Sequence, residues 1–203
     1  MKKIFILTVF TLIIISCKTT KAVSNQVYKE NIKTAFVEYN NHILNMEFEK
    51  SMEYMLPEFF EIIPKSQMVL LMKQIFNNPE MEFKMDKPKD IIIGNAKKID
   101  GKYYSLINYT YDIKMKFNSN DEMETSDDEK KLKRNLIKLS LEKTFGSENV
   151  KFNNETEFYE IHSKKDAYGV SKDGLTDWKF VVIEKKQKYI LEKILPKELT
   201  ENI

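Results

Sequence analysis

From Ile107 to Phe117 the chain alternates without interruption. Ile107, Tyr109, Tyr111, Ile113, Met115 and Phe117 are separated by Asn108, Thr110, Asp112, Lys114 and Lys116. A period of two places all the apolar side chains on one face of an extended strand. A one-residue slip would turn every one of them to water, so the partner of that face fixes the register. The stretch therefore demands a sheet with one covered face and one more solvated face.

The cover comes earlier in the chain. From Val27, the residues Tyr28, Ile32, Ala35/Phe36, Tyr39, Ile43 and Met46 recur at three- and four-residue steps, the stripe of an amphipathic helix. Phe48, Met52 and Met55 extend this by a helical turn or two, and Pro57 disfavours continuation. Pro64 suits the first turn of a third helix, with Met68, Leu71, Met72 and Ile75 predicted as its buried face. The period then switches to two at Met81, Phe83 and Met85, and a longer strand is predicted from Ile91 toward Ile99. Asp100-Gly101 suits a two-residue type I′ hairpin, which needs positive φ at both central positions. Ser126-Asp127-Asp128-Glu129 fits a capping box and predicts a helix over 127–145. Its expected core face is Leu132, Leu136, Ile137, Leu141 and Phe145, with Gly146 just past its end. Strands are predicted at Val150–Phe152, Phe158–Ile161, Ala167–Ser171 and Trp178–Ile183, with Asp173-Gly174 turning between the last two. A short helix carrying Ile190, Leu191, Ile194 and Leu195 is stopped by Pro196. The expected class is α+β: N-terminal helices packed on a curved, mostly antiparallel sheet, with one helix inserted in the strand order.

The first residues carry a different signal. Lys2 and Lys3 precede the apolar run Ile4 to Ile15, which is too short to span a bilayer of roughly 30 Å as a helix. Ser16 then stands directly before Cys17, the chain's only cysteine. Ile14-Ile15-Ser16-Cys17 resembles the lipobox of bacterial lipoprotein signal peptides. That resemblance implies removal of residues 1–16, a diacylglyceryl group on the Cys17 thiol, a tether over 17–26 and a single α+β domain over 27–203. Acyl chains bind a membrane by about 0.8 kcal/mol per buried methylene, so several on one cysteine hold firmly. The implied location is the cell envelope, facing the periplasm from the outer membrane in a Gram-negative cell. With the thiol consumed, the domain holds no cysteine for a disulfide, a nucleophile or a metal.

Lys2 and Lys3 account for the excess of 33 basic over 31 acidic residues, so the chain after the leader carries no formal net charge. That balance argues against nucleic acid as a partner. Arg134 is the only arginine, which leaves little material for bidentate anion recognition.

The order of three N-terminal helices followed by a sheet with long hairpins resembles the cone-shaped nuclear transport factor 2-like (ketosteroid-isomerase-like) domains, over roughly residues 25–195. The resemblance implies an apolar cavity between helices and sheet. Tyr109, Tyr111 and Trp178 are its candidate lining, the alternative being that these rings simply fill the core. The helix over 127–145 departs from the simplest form of that fold and leaves a cystatin-like helix-on-sheet arrangement open. Enzymes of the resembled superfamily use an Asp, His or Tyr inside the cone. Asp112 is the candidate acid here, although its parity places it with Thr110 and Lys114 on the polar face. His42 and His162 show no metal-ligand spacing, and the acids of Asp121 to Glu129 lack the order of a calcium loop. Neither a metal nor a cofactor is expected. The residues point to a non-enzymatic, membrane-anchored domain that binds an envelope protein or a small apolar ligand. The alternative is an isomerase- or dehydratase-like enzyme using a carboxylate in the cone.

Overall fold

A computed structural model describes residues 25–118, 126–201 and 203. The leader, Cys17, most of the tether and the acids Asp121, Glu122 and Glu124 lie outside the described residues. Three N-terminal helices come first, α1 (Asn25–Leu44), α2 (Phe48–Ser51) and α3 (Lys65–Phe76). The strands β1 (Met81–Met85), β2 (Lys89–Ile93), β3 (Lys97–Ile99) and β4 (Lys102–Phe117) follow. Then come α4 (Asp127–Phe145), β5 (Val150–Phe152), β6 (Tyr159–Ser171), β7 (Lys179–Val182), α5 (Lys188–Ile194) and α6 (Lys197–Thr200). The class is α+β, with α4 inserted in the strand order as expected.

Two long strands form the spine of one antiparallel sheet. β4 and β6 pair from Tyr103↔Ser171 to Met115↔Tyr159. β1, β2 and β3 pair in succession along the other edge of β4, while β5 and β7 share the far edge of β6. Asp100 (φ 48°) and Gly101 (φ 83°) make the tight β3–β4 turn, bringing Ile99 opposite Lys102.

The strand expected from Ile91 to Ile99 is instead two short ones. Asp90 has a φ of 50° where the β2–β4 register shifts, so β2 bulges. The chain then leaves the ladder between β2 and β3, where Gly94 N–H still donates to Leu106 O at 2.8 Å. Conversely, the separate strands expected at Phe158–Ile161 and Ala167–Ser171 are one strand, β6. Its polar middle, His162 to Asp166, carries no apolar alternation, yet its ladder with β4 is continuous.

Parity distributes the core over both faces. Tyr28, Ile32, Phe36, Tyr39 and Ile43 of α1 are buried against Ile107, Tyr109, Ala167, Trp178 and Phe180. On the opposite face at the same end, Leu191 and Leu195 pack with Tyr104, Val170 and Val181. At the other end of the sheet Ile113, Val150 and Ile161 are buried, and Leu141 and Phe145 of α4 pack on them. Because Ile113 shares parity with Ile107, α1 and α4 cover the same face at its two ends.

Two buried faces differ from expectation. In α3, Met72 packs on the core as expected, but Leu71 and Ile75 are exposed, and Val69 and Phe76 pack inward in their place. Phe76 sits between Phe48 and Phe83, with ring centroids 5.2 and 5.0 Å away, and sets the helix's rotation. In α4 the Ser126–Glu129 capping box forms as expected. Leu132 and Leu136, however, are 60% and 59% exposed, leaving Ile137, Leu141 and Phe145 inward. Both helices contain two apolar stripes, and periodicity alone does not choose between them. Leu136→Asp is therefore expected to leave thermal stability almost unchanged. Leu141→Asp should cost about 2 kcal/mol or more, because it places a charge against Ile113 and Ile161. Equal losses in the two variants would restore the original assignment.

Candidate functional site

Tyr109 and Tyr111 lie on the covered face, as the alternation requires. Tyr109 is buried, meets Phe36 edge-on at 4.9 Å and stacks with Tyr111 at 5.9 Å. Phe36 in turn meets Phe180 at 5.2 Å, and Tyr39 stacks on Phe180 at 5.8 Å. Burial pushes the Tyr109 phenol well above its ordinary value and that of Tyr39 up to about 12. Trp178 is buried beside them, its Nε1–H donating to Leu175 O at 3.1 Å. A Cβ added at Gly169 would meet Ile107, Phe180 and Trp178 at 3.4–3.5 Å, ordinary van der Waals contact, so β6 runs close against these side chains. Aromatic packing thus occupies the space between α1 and the sheet.

Trp178 also reaches a cleft of about 510 Å³ between α1 and the loop before β7. The polar groups there bind one another. Asn31 Nδ2 donates to Leu175 O at 2.9 Å, Lys179 Nζ donates to Glu53 O at 2.8 Å, and Lys65 pairs with Glu53 at 2.6 Å.

Asp112 points to the opposite, partly solvated face. The β4–β6 register sets it directly across from His162, and Asp112 Oδ1 lies 2.8 Å from His162 Nδ1. Lys89 Nζ donates to the other carboxylate oxygen at 2.8 Å. The Lys89 ammonium, and then His162, hold the Asp112 carboxyl below its usual value. That makes it a weaker base than an ordinary aspartate. The structure therefore brings together two of the sequence candidates, Asp112 and His162. His42 sits on α1, across the sheet, bound to Glu47 at 2.6 Å. Among the described residues no cluster of three or more His, Cys, Asp or Glu is placed to hold a metal ion.

A larger groove of about 800 Å³ opens between α4 and the ends of β4, β5 and β6. Its apolar walls are Phe117, Ile137, Phe152 and Tyr159. The Arg134 guanidinium lies 5.0 Å over the Phe152 ring, while Tyr159 Oη donates to the Arg134 carbonyl at 2.9 Å. Tyr159 also packs on Phe152 at 4.9 Å and on Phe117 at 5.9 Å, so three rings and one arginine form a connected unit. Three carboxylates line the groove as well, and two are engaged: Glu129 in the α4 cap and Glu157 with Lys116 at 2.8 Å. A guanidinium held over a ring face can still direct N–H donors to a carboxylate, phosphate or sulfonate. The sequence signal for this position lies in the β5 aromatic, which sequence alone does not place beneath α4.

No protein-family model, curated protein or solved structure matches this chain.

Proposed function

We propose that this chain is a lipid-anchored protein of the bacterial cell envelope, whose domain binds a small amphiphile in the groove beneath α4. The anchor rests on Lys2-Lys3, the apolar run and Ser16-Cys17. Among the described residues no helix is long and apolar enough to cross a membrane. The observation that carries the binding site is the Arg134 guanidinium held over the Phe152 ring in the lining of an aromatic groove. Its volume lies within the roughly 300–1,000 Å³ of small-molecule sites. The chemistry selects an apolar body with an anionic group: the body covers Phe117, Phe152 and Tyr159, and the anion meets the Arg134 edge.

The test uses 8-anilinonaphthalene-1-sulfonate, an aromatic sulfonate whose fluorescence rises in apolar sites. Arg134→Gln is expected to weaken its binding about tenfold, since a hydrogen bond to a charged group contributes about 1.5–3 kcal/mol. Phe152→Ala should weaken it comparably, and Leu136→Glu, on the outward side of α4, should leave it unchanged. Equal affinity in wild type and both groove variants would refute the site.

A further inference from the structure

We infer that α4 pairs with α4 of a second copy of this chain, antiparallel, through a stripe that the folded domain leaves uncovered. Leu132, Leu136 and Leu139 are 60%, 59% and 63% exposed. At about 100° per residue they fall within about 60° of one another round the helix. Ile137, Leu141 and Phe145, the inward residues, lie on the diametrically opposite side. The stripe is thus a second apolar face, and a helix normally spends such a face on a partner.

Charge along the stripe identifies the partner. Asp128 and Glu129 continue it at the N-terminal end and Lys143 at the C-terminal end. Reversing a copy about a dyad between Asn135 and Leu136 sets Leu132 against Leu139 of the second copy. The same operation sets Asp128 against its Lys143, while Glu129, engaged in the Ser126 cap, comes level with Glu142, which pairs with Lys138. Acid, leucines and base in that order are self-complementary only when antiparallel, and an isologous dyad requires that kind of match. A parallel pair would oppose like charges at both ends. An anionic bilayer would attract Lys143 but repel Asp128, Glu129 and Glu142 on the same half of the helix, so the pattern favours a protein partner. The groove side of α4, which carries Lys130, Arg134 and Ile137, faces away from the dyad and stays open.

One helix face makes a small interface, which implies weak pairing in dilute solution. Two copies confined to one membrane meet at a much higher effective concentration. That strengthening rests on the anchored reading, while the pairing geometry does not.

Cysteine crosslinking of the full chain in its own membranes tests both separately. Leu136→Cys is expected to give a disulfide-linked dimer, because the dyad sets the two copies of this position nearly level. Leu132→Cys alone should not crosslink, since its two copies are about 10 Å apart along the axis at about 1.5 Å per residue. Co-expressed with Leu139→Cys it should. Lys143→Glu added to Leu136→Cys should reduce the crosslinked fraction at least fivefold. Crosslinking of Leu132→Cys with itself would show a parallel pair and overturn the proposal. So would a monomeric Leu136→Cys variant whose thiol is shielded from water-soluble reagents by lipid. Wild type crosslinking through Cys17 would instead refute the anchor and leave the α4 result standing.

Discussion

Phe36→Ala is expected to lower the unfolding free energy by about 3–5 kcal/mol. Phe36 is fully buried at the centre of α1, with Tyr109 edge-on at 4.9 Å and Phe180 at 5.2 Å. Truncation removes the ring that joins the helix to both β4 and β7. The neighbours cannot collapse into the gap, because Tyr109 is held by Tyr111 and Phe180 by Tyr39. A loss of this size is a large share of the roughly 5–15 kcal/mol that stabilises an ordinary domain. Leu71→Ala, a similar deletion at an exposed position of α3, should cost well under 1 kcal/mol. Denaturant unfolding of the two variants checks the pair. A small loss for Phe36→Ala would mean that the space between α1 and the sheet is not filled by these rings, and a ligand cavity there would return to consideration.

Cys17→Ala is expected to abolish acylation outright. The thiol of Cys17 is the only one in the chain, so no other residue can carry the thioether. The variant should keep its leader or be processed abnormally, because the small-residue–cysteine junction no longer exists. Ser16→Ala retains a small residue before the cysteine and should be processed normally. Metabolic labelling with a radioactive or clickable fatty acid separates the outcomes: label in wild type and Ser16→Ala, none in Cys17→Ala. Label persisting in Cys17→Ala would place the lipid elsewhere.

The fold was legible wherever one periodicity stood alone. The stripe of α1, the alternation of β4, the Asp100-Gly101 turn and the α4 capping box each have a single local solution, and each forms. Legibility failed where two solutions shared a segment. Leu132-Leu136 and Ile137-Leu141 are equally good stripes on α4, and only contact with Ile113 and Ile161 decides between them. The middle of β6 failed for a related reason. His162, Lys164 and Asp166 lie on the polar face, while Ser163 and Lys165 interrupt the apolar one, so pairing with β4 creates the strand where no pattern announces it. The groove was illegible throughout, because Arg134 and Phe152 meet only through the packing of α4 over β5. Asp112 and His162 are likewise joined by register alone.

The intact mass of the protein extracted from membranes decides most directly whether this domain is held at a bilayer by lipid. The expected species begins at Cys17 and exceeds the mass of residues 17–203 by a diacylglyceryl group, with or without a further acyl chain on the new N-terminus. A species that begins at Met1, or at any residue other than Cys17 and with no acyl mass, would contradict it.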